Sequence, residues 1–454
     1  MDTTIHQSLP SLDSPSPAVP ATTATPIPPP APVQEQVIPM PIPTPIPTPT
    51  APPPSPPTQS LPEKSPGDRE TTPVPSPLEG KVTIVTNAPV RTTDVAASLP
   101  AGEEFNVPEI KALAMKLHQA SIPDDLRTKA ENQISRIALT LKYGGSMTQL
   151  DITAKYIDWI TSLPWYTRSV DELDINEVKK SLDASHFGLE GLKKKILEYL
   201  SVIALQKKAF NTQAYHIQSP MFVGLAGTGK TTFAKALAVA LKRKFVRIPF
   251  GGLSSARDLR GQSKTSPESE PGYVIKALRE AGTKNPVILL DELDRTAPDA
   301  RAEIMGVLLE LLDPGQNVHY TDYFIDFPFN LNEVLFVATG NNTTNVAAAV
   351  LDRLEVIQMP SYTDEEKMAI GKNYVLPSML KEVGLTSEQL SIDEALWPKM
   401  VRPLGFEPGI RSLERMVQNI VRRVAYKIVS GEGNSFHIDE SNVKDYTNII
   451  VGAQ

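Results

Sequence analysis

Gly224-Leu225-Ala226-Gly227-Thr228-Gly229-Lys230-Thr231 is the stretch that decides how this 454-residue chain folds. It has the form G-x-x-x-x-G-K-[ST], it follows the apolar run 221–224, and a helical stretch at 232–241 follows it. Each residue type has a chemical reason to be there. Small side chains at Gly224, Ala226, Gly227, Thr228 and Gly229 let backbone N–H groups wrap an anion, and a helix start adds the positive end of its dipole. Lys230 can reach β- and γ-phosphates, the Thr231 hydroxyl can ligate Mg²⁺, and Thr232 completes the first turn. The stretch therefore predicts an ATP·Mg²⁺ site at a strand-to-helix turn.

Working outward, four more apolar runs lack polar alternation: 245–248, 287–290, 334–339 and 354–357. Such runs are buried on both faces, as in a parallel sheet, and helical segments separate them as βαβ connections require. The class is α/β. The run 287–290 ends in Asp291-Glu292, 61 residues beyond Lys230. Asp291 is placed to hold a Mg²⁺ shell, and Glu292 to orient and polarise an attacking water. Without a phosphate loop upstream, an acid pair of this kind would be an ordinary solvated turn. The run 334–339 ends in Gly340-Asn341, whose amide suits a group that senses the γ-phosphate or holds the water. Arg353 precedes the last run, and Arg411 lies among helices further on.

The flanks are of other kinds. Residues 107–163 carry helical periodicity in three stretches, residues 361–430 are helical with breaks at Gly405 and Gly409, and residues 435–450 suggest an extended piece and a last helical turn. Of the 43 prolines, 25 fall within residues 1–80, which include repeated Ile-Pro-Thr-Pro units. Such a segment cannot bury enough apolar surface to offset its ordering entropy, so a disordered, locally polyproline II tail is expected. It serves as a spacer or as a ligand for an aromatic groove. A net charge of −7 argues against nucleic-acid binding by bulk electrostatics. The absence of cysteine excludes disulfides and thiolate chemistry and fits a cytoplasmic setting. No basic, then apolar, leader opens the chain, and no run of 18 apolar residues suggests a membrane span.

Several stretches resemble the AAA+ module of the Lon ATP-dependent proteases, and the likeness runs from about Ile110 to the C-terminus. Tyr156-Ile157-Asp158-Trp159-Ile160 with Leu163-Pro164-Trp165 is similar to the family's helical lead-in. His186-Phe187-Gly188-Leu189 is similar to its adenine-side turn, with Phe where Tyr is usual. Lys244-Phe245-Val246-Arg247-Ile248, Ala281-Gly282-Thr283-Lys284-Asn285-Pro286 and Leu351-Asp352-Arg353-Leu354-Glu355 carry it further. The resemblance implies a P-loop AAA+ parallel-sheet domain with a C-terminal helical lid, in a hexameric ring of identical subunits with ATP at their interfaces. It implies His186 and Gly188 beside the base, Asn341 as sensor 1, Arg353 as the finger reaching a neighbour's nucleotide, Arg411 as sensor 2 and Tyr362 as a lid-hinge residue near the base. The implied layout is a disordered Pro-rich tail at 1–100, a helical lead-in at 101–168, the ATPase domain at 169–360, the lid at 361–432 and a linker remnant at 433–454.

Two departures qualify the implied function. The likeness stops at Gln454, where the family's serine-lysine peptidase would begin, and a proline-rich head stands where its folded N-terminal domain would be. The substrate-gripping loop keeps Gly261 and Pro271-Gly272, but Ser266 takes the aromatic position, Pro267 the aliphatic one, and Glu268 and Glu270 are added. Serine offers little area for gripping a chain, and proline stiffens the loop. The sequence supports an ATP-driven ring that remodels protein partners or feeds a separate peptidase. It also supports a nucleotide-switched scaffold that recruits an adaptor, or the ATPase half of a split protease.

Overall fold

The computed structural model describes residues 82–87, 108–144, 147–210, 217–402 and 407–447. It begins with strand β1 (Ile84–Thr86), followed by α1 (Pro108–Gln119), α2 (Asp124–Lys142), α3 (Thr148–Ser162) and β2 (Thr167–Ser169). β1 pairs antiparallel with β2, Ile84 opposite Ser169. The expectation of a disordered tail to residue 100 therefore fails at β1. The cause lies in Val82-Thr83-Ile84-Val85, a β-branched run that fits a pleated edge and has β2 to supply partners. Residues 1–81 and the rest of the proline-rich expectation lie outside the described residues.

The chain continues through α4 (Ile175–Ser185) and α5 (Glu190–Phe210) into β3 (Ser219–Val223), α6 (Lys230–Ala240), β4 (Phe245–Pro249), α7 (Ala256–Arg260), α8 (Tyr273–Ala281) and β5 (Val287–Asp291). Then come α9 (Arg301–Leu311), the two-residue strands β6 (Tyr320–Thr321) and β7 (Pro328–Phe329), β8 (Leu335–Gly340), α10 (Ala348–Leu351) and β9 (Leu354–Gln358). All five expected apolar runs are strands of one sheet, ordered β4-β5-β8-β3-β9 and parallel at every pairing.

Period-two alternation splits the strand residues between two cores. Met221, Val223, Ile288, Leu290 and Phe336 belong to one continuous core that also takes in Leu117, Leu126, Tyr156 and Ile157 of the lead-in helices. Phe222, Val287, Leu289 and Val337 pack with α4, α5, α6 and the lid. The lead-in thus shares a core with the sheet. A charged seam adds to this junction: Arg168 donates to both Glu333 oxygens at 2.6 and 2.9 Å, and Arg243 donates to Asp171 at 2.7 and 2.8 Å.

The lid opens with a Thr363–Glu366 capping box on α11 (Asp364–Ile370), then a π turn over Gly371–Val375 and α12 (Leu376–Val383). β10 (Leu390–Ile392), α13 (Trp397–Val401), α14 (Arg411–Val429) and β11 (Phe436–Ile438) complete it. β11 pairs parallel with β10, and Ile438, Val443 and Tyr446 are buried in the lid core. Residues 433–447 are therefore part of the lid, not the linker remnant expected from residue 433. The apolar spacing Phe436, Ile438, Val443 and Tyr446 carries that burial.

Candidate functional site

The loop between β3 and α6 turns on two glycines with left-handed backbone, Gly227 at φ 83° and Gly229 at φ 90°. A side chain would be strained at either, so this loop shape requires glycine. Lys230 is the first residue of α6, and its Nζ donates to Gly224 O at 2.7 Å, Leu225 O at 2.9 Å and Asn341 Oδ1 at 3.1 Å. Burial pushes its ammonium below the usual lysine range. Lys230 and Asn341 are thus brought together although 111 positions separate them.

Asp291 ends β5 and is almost wholly buried. Its carboxylate accepts from Thr231 Oγ1 at 3.3 Å, from Arg247 Nε at 2.6 Å and from the hydroxyl of Thr339. Thr339 is fully buried on β8, and its oxygen also accepts the Glu292 N–H at 3.0 Å. That bond holds Glu292 in a left-handed conformation, φ 59°, which turns its side chain out of the strand direction toward Gly251 and Arg295. Thr339 and Arg247 carry no role in the sequence reading. The available signals were slight: one hydroxyl and one charge, each within an otherwise apolar run.

The lid closes over the same loop. Tyr362 donates its hydroxyl to Thr228 O at 3.1 Å, and Ile410 N–H donates to Gly227 O at 3.2 Å. At Gly409 a Cβ would stand 2.4 Å from the Gly227 carbonyl carbon, so backbone meets backbone there. Arg411 begins α14, with its Cγ 3.2 Å from where a Cβ on Gly227 would lie. Tyr362 and Arg411 are therefore at the phosphate loop. His186 Nε2 lies 3.2 Å from Thr232 Oγ1, with its ring edge-on to Phe233. Burial and then the Lys193 charge press its pKa down to about 4. Gly188 lines a neighbouring cleft of about 490 Å³ with Leu189, Lys195, Gln358 and Glu366. Arg353 lies elsewhere. It donates to Ala349 O at 2.9 Å and to Asp313 at 3.2 Å, apart from the loop of its own chain.

These residues could hold a nucleotide and its metal. The glycine turns leave a cradle that side chains would fill, and Thr231 with Asp291 forms the oxygen-only donor set that a small hard cation takes.

Residues 220–362 match the model of the ATPase family associated with various cellular activities (AAA), and residues 381–436 match the Lon protease AAA+ ATPase lid domain. The chain is 38% identical over 343 residues to a Lon protease of Lawsonia intracellularis, across 75% of this chain and 40% of that protein. It is 38% identical over 346 residues to Lon protease 2 of Thermus thermophilus, across 74% and 42%. With the Lon protease of Dictyoglomus thermophilum it shares 39% over 325 residues, across 71% and 40%. This is an AAA+ ATPase module of the Lon family. It spans about 40% of the length of these relatives.

In this Lon-family module the loop with Ser266 and Pro267 is tied down at several points. Lys155 of α3 donates to Pro267 O at 3.1 Å, and Glu270 pairs with Lys276 at 2.5 Å and with Lys155 at 3.9 Å. Lys264 sits 3.9 Å over the Tyr156 ring. The buried Asp322 carboxylate accepts N–H groups of Gly272, Phe324 and Ile325 at 2.7 to 3.1 Å, and burial pushes its pKa up to about 6. A cleft of about 720 Å³ opens beside the loop, lined by Arg257, Lys264, Ser266 and Tyr323 among others. Among the described residues no helix is long and apolar enough to cross a membrane.

Proposed function

We propose that this module binds ATP·Mg²⁺ between the 224–231 loop and the lid and hydrolyses it in a cytoplasmic ring of identical subunits, a hexamer by family likeness. The observation that carries the reading is the linked set Thr231, Asp291, Thr339 and Glu292, with Lys230 and Asn341 bonded beside it. In this reading the loop amides and Lys230 bind the phosphates, and Thr231 and Asp291 hold the metal. Mg²⁺, when bound, would neutralise phosphate charge there. Glu292 accepts a proton from, and orients, the attacking water, with Asn341 fixing its position. Tyr362, His186 and Gly188 frame the base side, and Arg411 reports nucleotide to the lid. Arg353 acts on a neighbour's nucleotide, which its bonds to Ala349 and Asp313 rather than to the loop of its own chain support.

Hydrolysis then serves work on protein partners, as the relatives' name of protease suggests. Peptide-bond cleavage is assigned to a separate peptidase rather than to this module. Purified chain should hydrolyse ATP without degrading an unfolded protein. Glu292→Gln should keep nucleotide binding and lower the rate by about a hundredfold. An unchanged rate in that variant means Glu292 is not the water-orienting residue.

The tethered loop favours a second reading, a nucleotide-switched scaffold with little threading. Its ties to Lys155 and Tyr156 support a fixed element more than a moving one. ATP-driven unfolding of a tagged reporter, unaffected by changes at residues 266–270, would rule the scaffold reading out.

A further inference from the structure

Asp291 is an ionisable group with almost no solvent contact, and a buried carboxylate needs a compensating charge. Lys230 feels the Asp291 charge but makes no direct bond to it: its three donors go to Gly224 O, Leu225 O and Asn341 Oδ1. Among the described residues the cation paired with Asp291 is Arg247, at 2.6 Å. Arg247 lies on β4, which is the sheet's edge strand beside β5, and its side chain is 50% exposed. One end of the pair is therefore fixed inside the protein, and the other can swing into solvent without moving backbone.

We propose that Arg247 is an exchangeable counterion for Asp291: it neutralises the carboxylate in the nucleotide-free chain and yields it to the divalent cation that arrives with nucleotide. The proposal rests on the reading of Asp291 as a metal-shell ligand. The reason for exchange is electrostatic. A guanidinium bonded to Oδ2 and a divalent ion drawn to the same carboxylate and to Thr231 Oγ1 are like charges a few ångströms apart, sharing a carboxylate that has almost no solvent contact of its own. Both cannot be held at full strength. Arg247 thus sets how much metal the site needs and prevents Asp291 from being left unpaired when none is present.

The test is a Mg²⁺ titration of fluorescent ADP binding to the full chain after chelation of metal, on wild type, Arg247→Gln and Asp291→Asn. Removing the competing cation should lower the Mg²⁺ concentration at half-saturation roughly threefold to tenfold in Arg247→Gln. The same variant should melt lower than wild type in chelator and recover most of the difference with Mg²⁺ and ADP. A half-saturation that is unchanged or higher overturns the exchange. Asp291→Asn separates the two failures. If it leaves the Mg²⁺ requirement as in wild type, the metal reading of Asp291 fails and takes the proposal with it. If it raises the requirement while Arg247→Gln changes nothing, only the exchange fails. A second measurement needs no variant: an arginine-specific dicarbonyl, read by peptide mass, should label Arg247 faster with ADP and Mg²⁺ than with ADP and chelator. Equal or slower labelling overturns the proposal.

Discussion

Replacing Thr339 with valine should show how far one buried hydroxyl organises the site. The substitution keeps the shape of the side chain and removes its oxygen. That oxygen donates to Asp291 and accepts the Glu292 N–H at 3.0 Å, and the residue is fully buried. Losing a hydrogen bond to a charged acceptor costs about 1.5–3 kcal/mol, and stranding a buried amide costs about 1–3 kcal/mol. The added methyl returns about 0.8 kcal/mol by burial. The net loss is about 3 kcal/mol, which for a chain of this size corresponds to a melting midpoint lower by about 4 °C. Because the lost bond also holds Glu292 at φ 59°, kcat for ATP should fall about tenfold or more with KM changed far less. Thr339→Ser keeps the oxygen and should lie nearer wild type in both measurements. The assays are thermal unfolding in chelator and steady-state ATP hydrolysis. A Thr339→Val protein that melts within about 1 °C of wild type and turns over at the wild-type rate would refute the account of this oxygen as the link between the two acids.

Four further outcomes are expected. Gly409→Val places a side chain where Gly227 backbone already stands, so the lid should be lifted off the loop and ADP affinity should drop at least about tenfold by fluorescence titration. The pH dependence has two opposed parts. His186, held near 4 when folded against 6.5 ordinarily, makes stability fall as pH drops from 6.5 toward 4, because only the unfolded imidazole takes up the proton. Asp322, raised to about 6 from 3.8, makes stability fall as pH rises across that range, because the unfolded carboxyl loses its proton first. The melting curve of His186→Gln should therefore gain on wild type steadily as pH falls from 6.5 to 4, and parallel curves would contradict the assignment. Glu270→Gln should cost less than about 1 kcal/mol, because its ion pairs are half exposed, yet speed tryptic cleavage after Lys264 by a margin that shrinks at high salt. Deleting residues 1–80 should leave the ATPase rate within about twofold, since every residue placed at the site lies beyond residue 185.

The sheet was legible because strands buried on both faces leave an uninterrupted apolar signature, and the glycine-rich loop could be placed because its backbone demands glycine. Asp291, Glu292 and Asn341 were legible as polar groups at the ends of those strands. Arg247 and Thr339 were not, because what matters about them is a cross-strand neighbour: Arg247 meets Asp291 only through the β4–β5 register, and Thr339 meets it from β8. The same limit explains β1 and the segment after residue 433. Each is a stretch too short to bury a face of its own, given its structure by a partner strand far away in sequence. The closeness of Gly409 to Gly227 is of this kind as well, since an isolated glycine after Pro408 could equally mark a helix break.

The division of β3 between two cores has a consequence for how damage spreads. Met221 and Phe222 are adjacent and both fully buried, yet one belongs to the core that includes the lead-in helices and the other, edge-on to Phe233 of α6, to the core that includes the lid. The sheet is thus a partition with separate tenants on its two sides, and the parity of a residue number decides which tenant feels a substitution. A cavity cut at Met221 should weaken the core shared with the lead-in helices, while the same cut one position later should weaken the core shared with α6 and the lid. Matched pairs of such cuts along β3, β5 and β8 offer a means of unsettling either side of the ATPase by choice while leaving the phosphate loop in place.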